Sequence, residues 1–103
     1  MSNIFTGIPS ELDAELCELL VDNGNVRVER IVSQGHASPE TGWYDQKQNE
    51  WVIVLQGEAL LEFADGSTKR LIAGDYITIE AHVKHKVNWT DPDMKTIWLA
   101  IHY

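Results

Sequence analysis

A single cysteine, Cys17, means that no disulfide can close within the 103-residue chain. That fits a reducing compartment, and the cytoplasm is the expected location. Basic residues are also scarce: eight Lys and Arg stand against sixteen Asp and Glu, for a net charge of −8. No Lys/Arg stripe offsets the excess, so phosphate backbones are repelled, which argues against nucleic acid and anionic membrane as partners. Long apolar runs are missing as well. The opening stretch Met1-Ser2-Asn3-Ile4-Phe5-Thr6-Gly7 lacks the basic start and apolar run of a leader, and nothing approaches membrane-spanning length. Without secretion, the glycosylation-like triplet Asn88-Trp89-Thr90 is a chance match.

At this length one β-rich domain over 1–103 is expected, with a barrel over 26–103 behind an N-terminal segment, 1–25. Ser10 to Leu20 alone has a helical signature. Ser10 and Asp13 resemble a capping box after Pro9, and Leu12, Leu16, Leu19 and Leu20 recur at helix spacing. The pattern predicts a short helix or turn there, with a strand in its second half as the alternative that tertiary context could impose. Val26 to Ser33 is rich in β-branched residues and reads as a strand, and Gln34 to Thr41 as a loop.

From Glu50 onward the pattern is β almost without interruption. Trp51-Val52-Ile53-Val54-Leu55 is a continuous apolar run ended by Gly57, as in a strand buried on both faces. Ala59, Leu61 and Phe63 alternate with Leu60, Glu62 and Ala64, and Asp65-Gly66 supplies a tight hairpin loop. Further strands are expected over Thr68 to Ile72, Tyr76 to Ile79, His85 to Thr90 and Thr96 to Tyr103. Short strands at this spacing indicate an all-β sandwich or barrel.

Gly74, five residues, Glu80-Ala81-His82, then His85 and Asn88 resemble the second motif of the cupin superfamily, G-x5-P-x-G-x2-H-x3-N. Glu80 stands in the proline position, His82 in the glycine position, and Asn88 comes one residue early. The first motif, G-x5-H-x-H-x3,4-E-x6-G, is matched in its second half by Glu50 and Gly57. Its two histidines are replaced. A three-residue gap puts Tyr44 and Gln46 in their places, and a four-residue gap puts Trp43 and Asp45 there. The resemblance implies a cupin-like double-stranded β-helix, or jelly-roll barrel, with His85 as a metal-ligand histidine facing its inside. It also implies a homodimer, in which the N-terminal apolar segment could cross to the partner.

A divalent ion needs three or four converging lone pairs with positions left open for water or substrate. Gln46, Glu50 and His85 are the candidate ligands, with Asp45 and His82 as alternates. Such a set suits Fe, Mn, Co, Ni or Zn. An imidazole bonded to its acid with no metal is an equal reading of Glu50 and His85. Tyr44 and His82 are candidates for proton transfer, and Trp43, Tyr44 and Trp89 for contact with a ligand. If His85 points inward, strand alternation sends Val87 and Trp89 inward too. His36 reads as exposed and His102 as a core histidine bonded to a backbone carbonyl. In the last strand Trp98, Ala100 and His102 share one face and Ile97, Leu99 and Ile101 the other, and either could line the interior.

Small-molecule binding inside the barrel, at a degenerate site with or without a divalent metal, is the favoured expectation. The alternatives are a metal-dependent dioxygenase or isomerase acting on a small molecule, and a metal-free structural or interaction barrel.

Overall fold

Apolar alternation broken by tight turns gives eight strands and no helix in the computed structural model, which describes residues 1–103. They are β1 Leu16–Asp22, β2 Arg27–Ser33, β3 Glu50–Gln56, β4 Glu58–Phe63, β5 Thr68–Ile72, β6 Tyr76–Ile79, β7 His85–Thr90 and β8 Thr96–His102. A five-stranded sheet runs in the order β1-β2-β8-β3-β6, and a three-stranded sheet in the order β5-β4-β7. Every pairing is antiparallel. The two sheets face each other across a core of Val52, Val54, Trp98 and Ala100 on one side and Ala59, Leu61 and Leu71 on the other.

The helix expected within Ser10 to Leu20 does not form; its second half is β1. The edge of β2 offers a ladder from Leu16 opposite Val32 to Asp22 opposite Arg27, and Leu20 is taken up in a bulge. Satisfying backbone groups along a whole sheet edge outweighs a weak local helical preference. One side-chain pair fixes the register: Glu18 lies opposite Arg30 and binds its guanidinium. Buried Arg30 also donates to the carbonyls of Ile4 at 3.1 Å and Thr6 at 2.6 Å, and Lys95 Nζ donates to that of Ser10 at 3.0 Å. Ile4, Thr6 and Ser10 are thus tied to their own barrel.

Two expectations about faces need correction. On β3 only Glu50, Val52 and Val54 are buried, while Trp51, Ile53 and Leu55 on the outer face are half-buried. Trp89 does not share a face with His85. In the β4–β7 ladder Leu61 pairs with Val87 but Leu60 with Trp89, so Asn88 is an extra residue. A bulge of this kind reverses the alternation beyond it. Trp89 therefore turns outward, and Thr90 is buried opposite Ala59.

Candidate functional site

Register places the polar residues that face inward. Across the β3–β8 ladder Glu50 lies opposite His102, Val52 opposite Ala100 and Val54 opposite Trp98. Burial of Glu50, Val52 and Val54 therefore settles the face of β8: Trp98, Ala100 and His102 point into the barrel. The same parity on β2 turns Glu29 and Ile31 inward, and on β1 Cys17.

Segment 44–46 completes the wall. Tyr44 and His85 exchange backbone hydrogen bonds, with Tyr44 N–H donating at 2.8 Å and His85 N–H at 3.2 Å. This bridge orients the segment so that Tyr44 and Gln46 line the interior together with Glu50 and His85. Of the two alignments the sequence left open, the structure therefore favours the one with a three-residue gap. Asp45 instead meets His82, its Oδ1 lying 2.8 Å from His82 Nδ1 on the exposed surface. Neither alternate ligand lines the cavity. His82 holds a left-handed backbone with φ 65° where the family motif has glycine.

The cavity so formed has a volume of about 190 Å³. Apolar contacts come from Val52, Leu61, Ile79, Val87 and Trp98, and polar ones from Glu15, Glu29, Tyr44, Gln46, Glu50, His85 and His102. Trp43 and Trp89 are outside it. Trp43 sits under the Lys86 ammonium, 4.6 Å from its ring centre, and Trp89 lies beside Leu60 and Arg70 on the outer face of the smaller sheet. Trp98 is the tryptophan that faces the cavity. Also unforeseen were Glu15, Cys17 and the pair Glu29–His102, in which His102 Nε2 lies 3.0 Å from Glu29 Oε1. His102 thus faces a carboxylate, and no backbone carbonyl accepts from its ring. The signal for it was its shared parity with Trp98, which no local pattern could orient.

Glu50 and His85 form the best-defined polar pair. His85 Nδ1–H donates to the Val83 carbonyl at 2.9 Å, which fixes the tautomer and aims Nε2 at Glu50 Oε1, 3.5 Å away. Two lone-pair atoms cannot face each other stably at that distance, so a positive charge belongs between them, as a proton or a metal ion. Burial pulls the His85 pKa down, but bonding to Glu50 and to the Val83 carbonyl, with the Glu50 charge, outweighs it and holds the pKa above 6.5. Stability from this pair is therefore fully present below pH 6.5 and is lost as the pH rises through the raised value. We expect Glu50→Gln to lower the His85 titration midpoint in histidine-resolved NMR. An unchanged midpoint would mean that Glu50 is not the cause.

The cysteine lining the cavity is not poised for reaction. Partial desolvation at the open rim of the cavity, where the side chain is still exposed, then the charges of Glu15 and Glu29, push the Cys17 thiol up to about 11, so it stays protonated at neutral pH.

As ligands for a metal these residues are an incomplete set. No three His, Cys, Asp or Glu side chains converge as a group that could hold an ion. Glu50 and His85 supply two strong donors, and only the weaker amide oxygen of Gln46 is available from the third predicted position.

Two facing antiparallel sheets with an inward acid–imidazole pair define a double-stranded β-helix barrel. The chain belongs to the cupin family: the family model described as "Cupin domain" matches residues 29–102. Among solved structures, the "putative mannose-6-phosphate isomerase" of Ralstonia eutropha JMP134 is 38% identical, with a TM-score of 0.94 over 99% of this chain and 95% of that one. A cupin superfamily protein of Desulfitobacterium hafniense DCB-2 is 20% identical, with a TM-score of 0.75 over 92% of this chain and 82% of that one. An RmlC-like cupin of Methanocaldococcus jannaschii, described as a double-stranded β-helix, is 17% identical, with a TM-score of 0.72 over 92% and 84%. No protein of curated function matches the chain.

Proposed function

We propose that this protein binds a small molecule inside the barrel, with apolar walls supplying contact and Glu50, His85, Gln46 and Tyr44 orienting it. The observation that carries this reading is the cavity of about 190 Å³, on which those four residues converge. Its volume is below the roughly 300 Å³ at which drug-sized sites begin, which favours a compact ligand. In a fragment screen read by NMR, saturable hits should perturb His85, Val87 and Trp98. Hits confined to Trp43 and Trp89 would sink the proposal.

A second reading, a metal-dependent enzyme, is favoured by the direction of His85 Nε2. With Nδ1 committed to Val83, Nε2 faces Glu50 as a ligating imidazole does. Glu50, His85 and Gln46 would hold the ion, which as a Lewis acid would polarise a substrate carbonyl. In that chemistry Tyr44 is the cavity-facing candidate for moving a proton, because His82 is turned to Asp45. An isomerase would agree with the description of the Ralstonia relative, although no Lys or Arg lines this cavity to hold a phosphate. Elemental mass spectrometry on protein purified without chelator tests this. About one metal per chain, lost in Glu50→Ala and His85→Ala, is the result required, and a wild type that takes up none of Fe, Mn, Co, Ni or Zn overturns it.

We further propose that the chain pairs with a second copy through β1. This strand is an edge, and its Leu19, Leu20 and Val21 are exposed at 55%, 46% and 52%. Apolar edges of this kind are normally covered. Light scattering should give twice the chain mass for the wild type and the single-chain mass for Val21→Lys. A wild-type monomer at high concentration would remove the proposal.

A further inference from the structure

We propose that His82 is a positioning residue: from outside the cavity it grips Asp45 and so fixes which side chains of segment 44–46 line the barrel. Its backbone is the first sign. His82 is the one residue other than glycine with a positive φ, 65°, a conformation that a β-carbon disfavours. Backbone held there against its preference is over-determined by the bonds around it.

Those bonds run to one segment. Residues 44–46 are held by the backbone pair between Tyr44 and His85 and by two bonds from His82, whose N–H donates to the Gln46 carbonyl at 2.8 Å and whose Nδ1 lies 2.8 Å from Asp45 Oδ1. A carboxylate only accepts, so Nδ1 carries a proton and donates it. The turn that carries His82 is itself anchored. Val83 N–H donates to the Glu80 carbonyl at 3.1 Å and Ala81 N–H to Asn49 Oδ1 at 2.9 Å, and Asn49 exchanges backbone bonds of 2.8 and 3.0 Å with Tyr103.

Alternation gives this grip its consequence. Tyr44 and Gln46 line the cavity and Asp45 does not, as in an extended segment with one face inward. Turned over, the same segment would present the Asp45 carboxylate to Glu50 and His85 in place of the Gln46 amide. By holding Asp45 on the surface, His82 keeps a neutral amide and a phenol in the wall and a further carboxylate out of it. The two side chains are 66% and 42% exposed, so their contact adds little to the stability of the whole barrel and acts on this segment. The role rests on the cavity being a ligand site, but its test needs no ligand, so either can fail while the other stands.

Amide exchange and histidine-resolved NMR on the full chain test it. Asp45→Ala and His82→Gly should each speed exchange of the Tyr44 amide about fivefold, with the amides of β3 and β8 unchanged. Asp45→Asn keeps an acceptor oxygen and should stay within about twofold of the wild type. The His85 ring signals, 5.7 Å from the Tyr44 ring, should move in Asp45→Ala and hold in Asp45→Asn. The urea midpoint of Asp45→Ala should match that of the wild type. Unchanged Tyr44 exchange in both Asp45→Ala and His82→Gly, or an Asp45→Asn that behaves as Asp45→Ala, overturns the proposal. So does an Asp45→Ala midpoint that falls in step with Tyr44 exchange, because the pair would then be a bond of the whole fold.

Discussion

Gly57→Ala should destabilise the protein by about 2–5 kcal/mol, the sum of a backbone cost and a clash. Gly57 has φ 90°, a left-handed conformation that an L side chain rarely takes. A β-carbon there would lie 2.6 Å from Thr96 Cα and 2.9 Å from Thr96 Cβ, so backbone would have to move. The movement would also strain the Thr96 hydroxyl, which exchanges hydrogen bonds of 3.2 Å with the amide and carbonyl of Glu58. Gly66→Ala is the matched control, because Gly66 has the same φ of 90° and a β-carbon added to it would meet nothing within 4 Å. It should lose only the backbone part, about 1–2 kcal/mol. Urea midpoints measure both. Equal losses would show that the contact with Thr96 is relieved at no cost.

Trp98 is the second position at which a large effect is expected. It is 4% exposed and packs between the sheets with Val54 and Ala100, so Trp98→Ala should cost about 3–5 kcal/mol. Trp98→Phe separates ring from donor. The indole Nε1 has no hydrogen-bond partner in the protein, so its removal sacrifices no bond and only the smaller ring volume is lost. The phenylalanine variant should therefore retain most of the stability lost by alanine. If both variants are equally unstable, the indole nitrogen is engaged and its place in the cavity must be reconsidered.

Most strands were legible because their signals are local. Asp65-Gly66 between alternating apolar residues dictates a hairpin, and β4 and β5 are joined there. Glu50 and His85 were legible because motif spacing carries the inward parity of their strands. What failed depended on distant partners. Leucines at helix spacing in Ser10 to Leu20 could not reveal that β2 would present an open edge. Trp89 shares the parity of His85 only if the strand is regular, and the extra residue at Asn88 breaks that rule. Glu29 and His102 lie 73 positions apart in the chain, and only the ladders joining β2, β8 and β3 make them neighbours of Glu50. Tyr44 and Gln46 were separated from Trp43 and Asp45 by one backbone bridge to His85.

The position of β1 has a kinetic consequence. One wall of the cavity, the part carrying Cys17, hangs from a single ladder that is itself interrupted at Leu20. A strand bonded on one side opens at a fraction of the free energy needed to unfold the whole barrel. In the unpaired chain amide exchange should reach β1 while β3 and β8 stay protected, and brief detachment of this wall would widen the mouth of the cavity, already open at the exposed Glu15, Cys17 and Tyr44, without unfolding the rest. In the unpaired chain, the passage of a ligand through that mouth is then set by the fraying of one edge strand rather than by the stability of the fold.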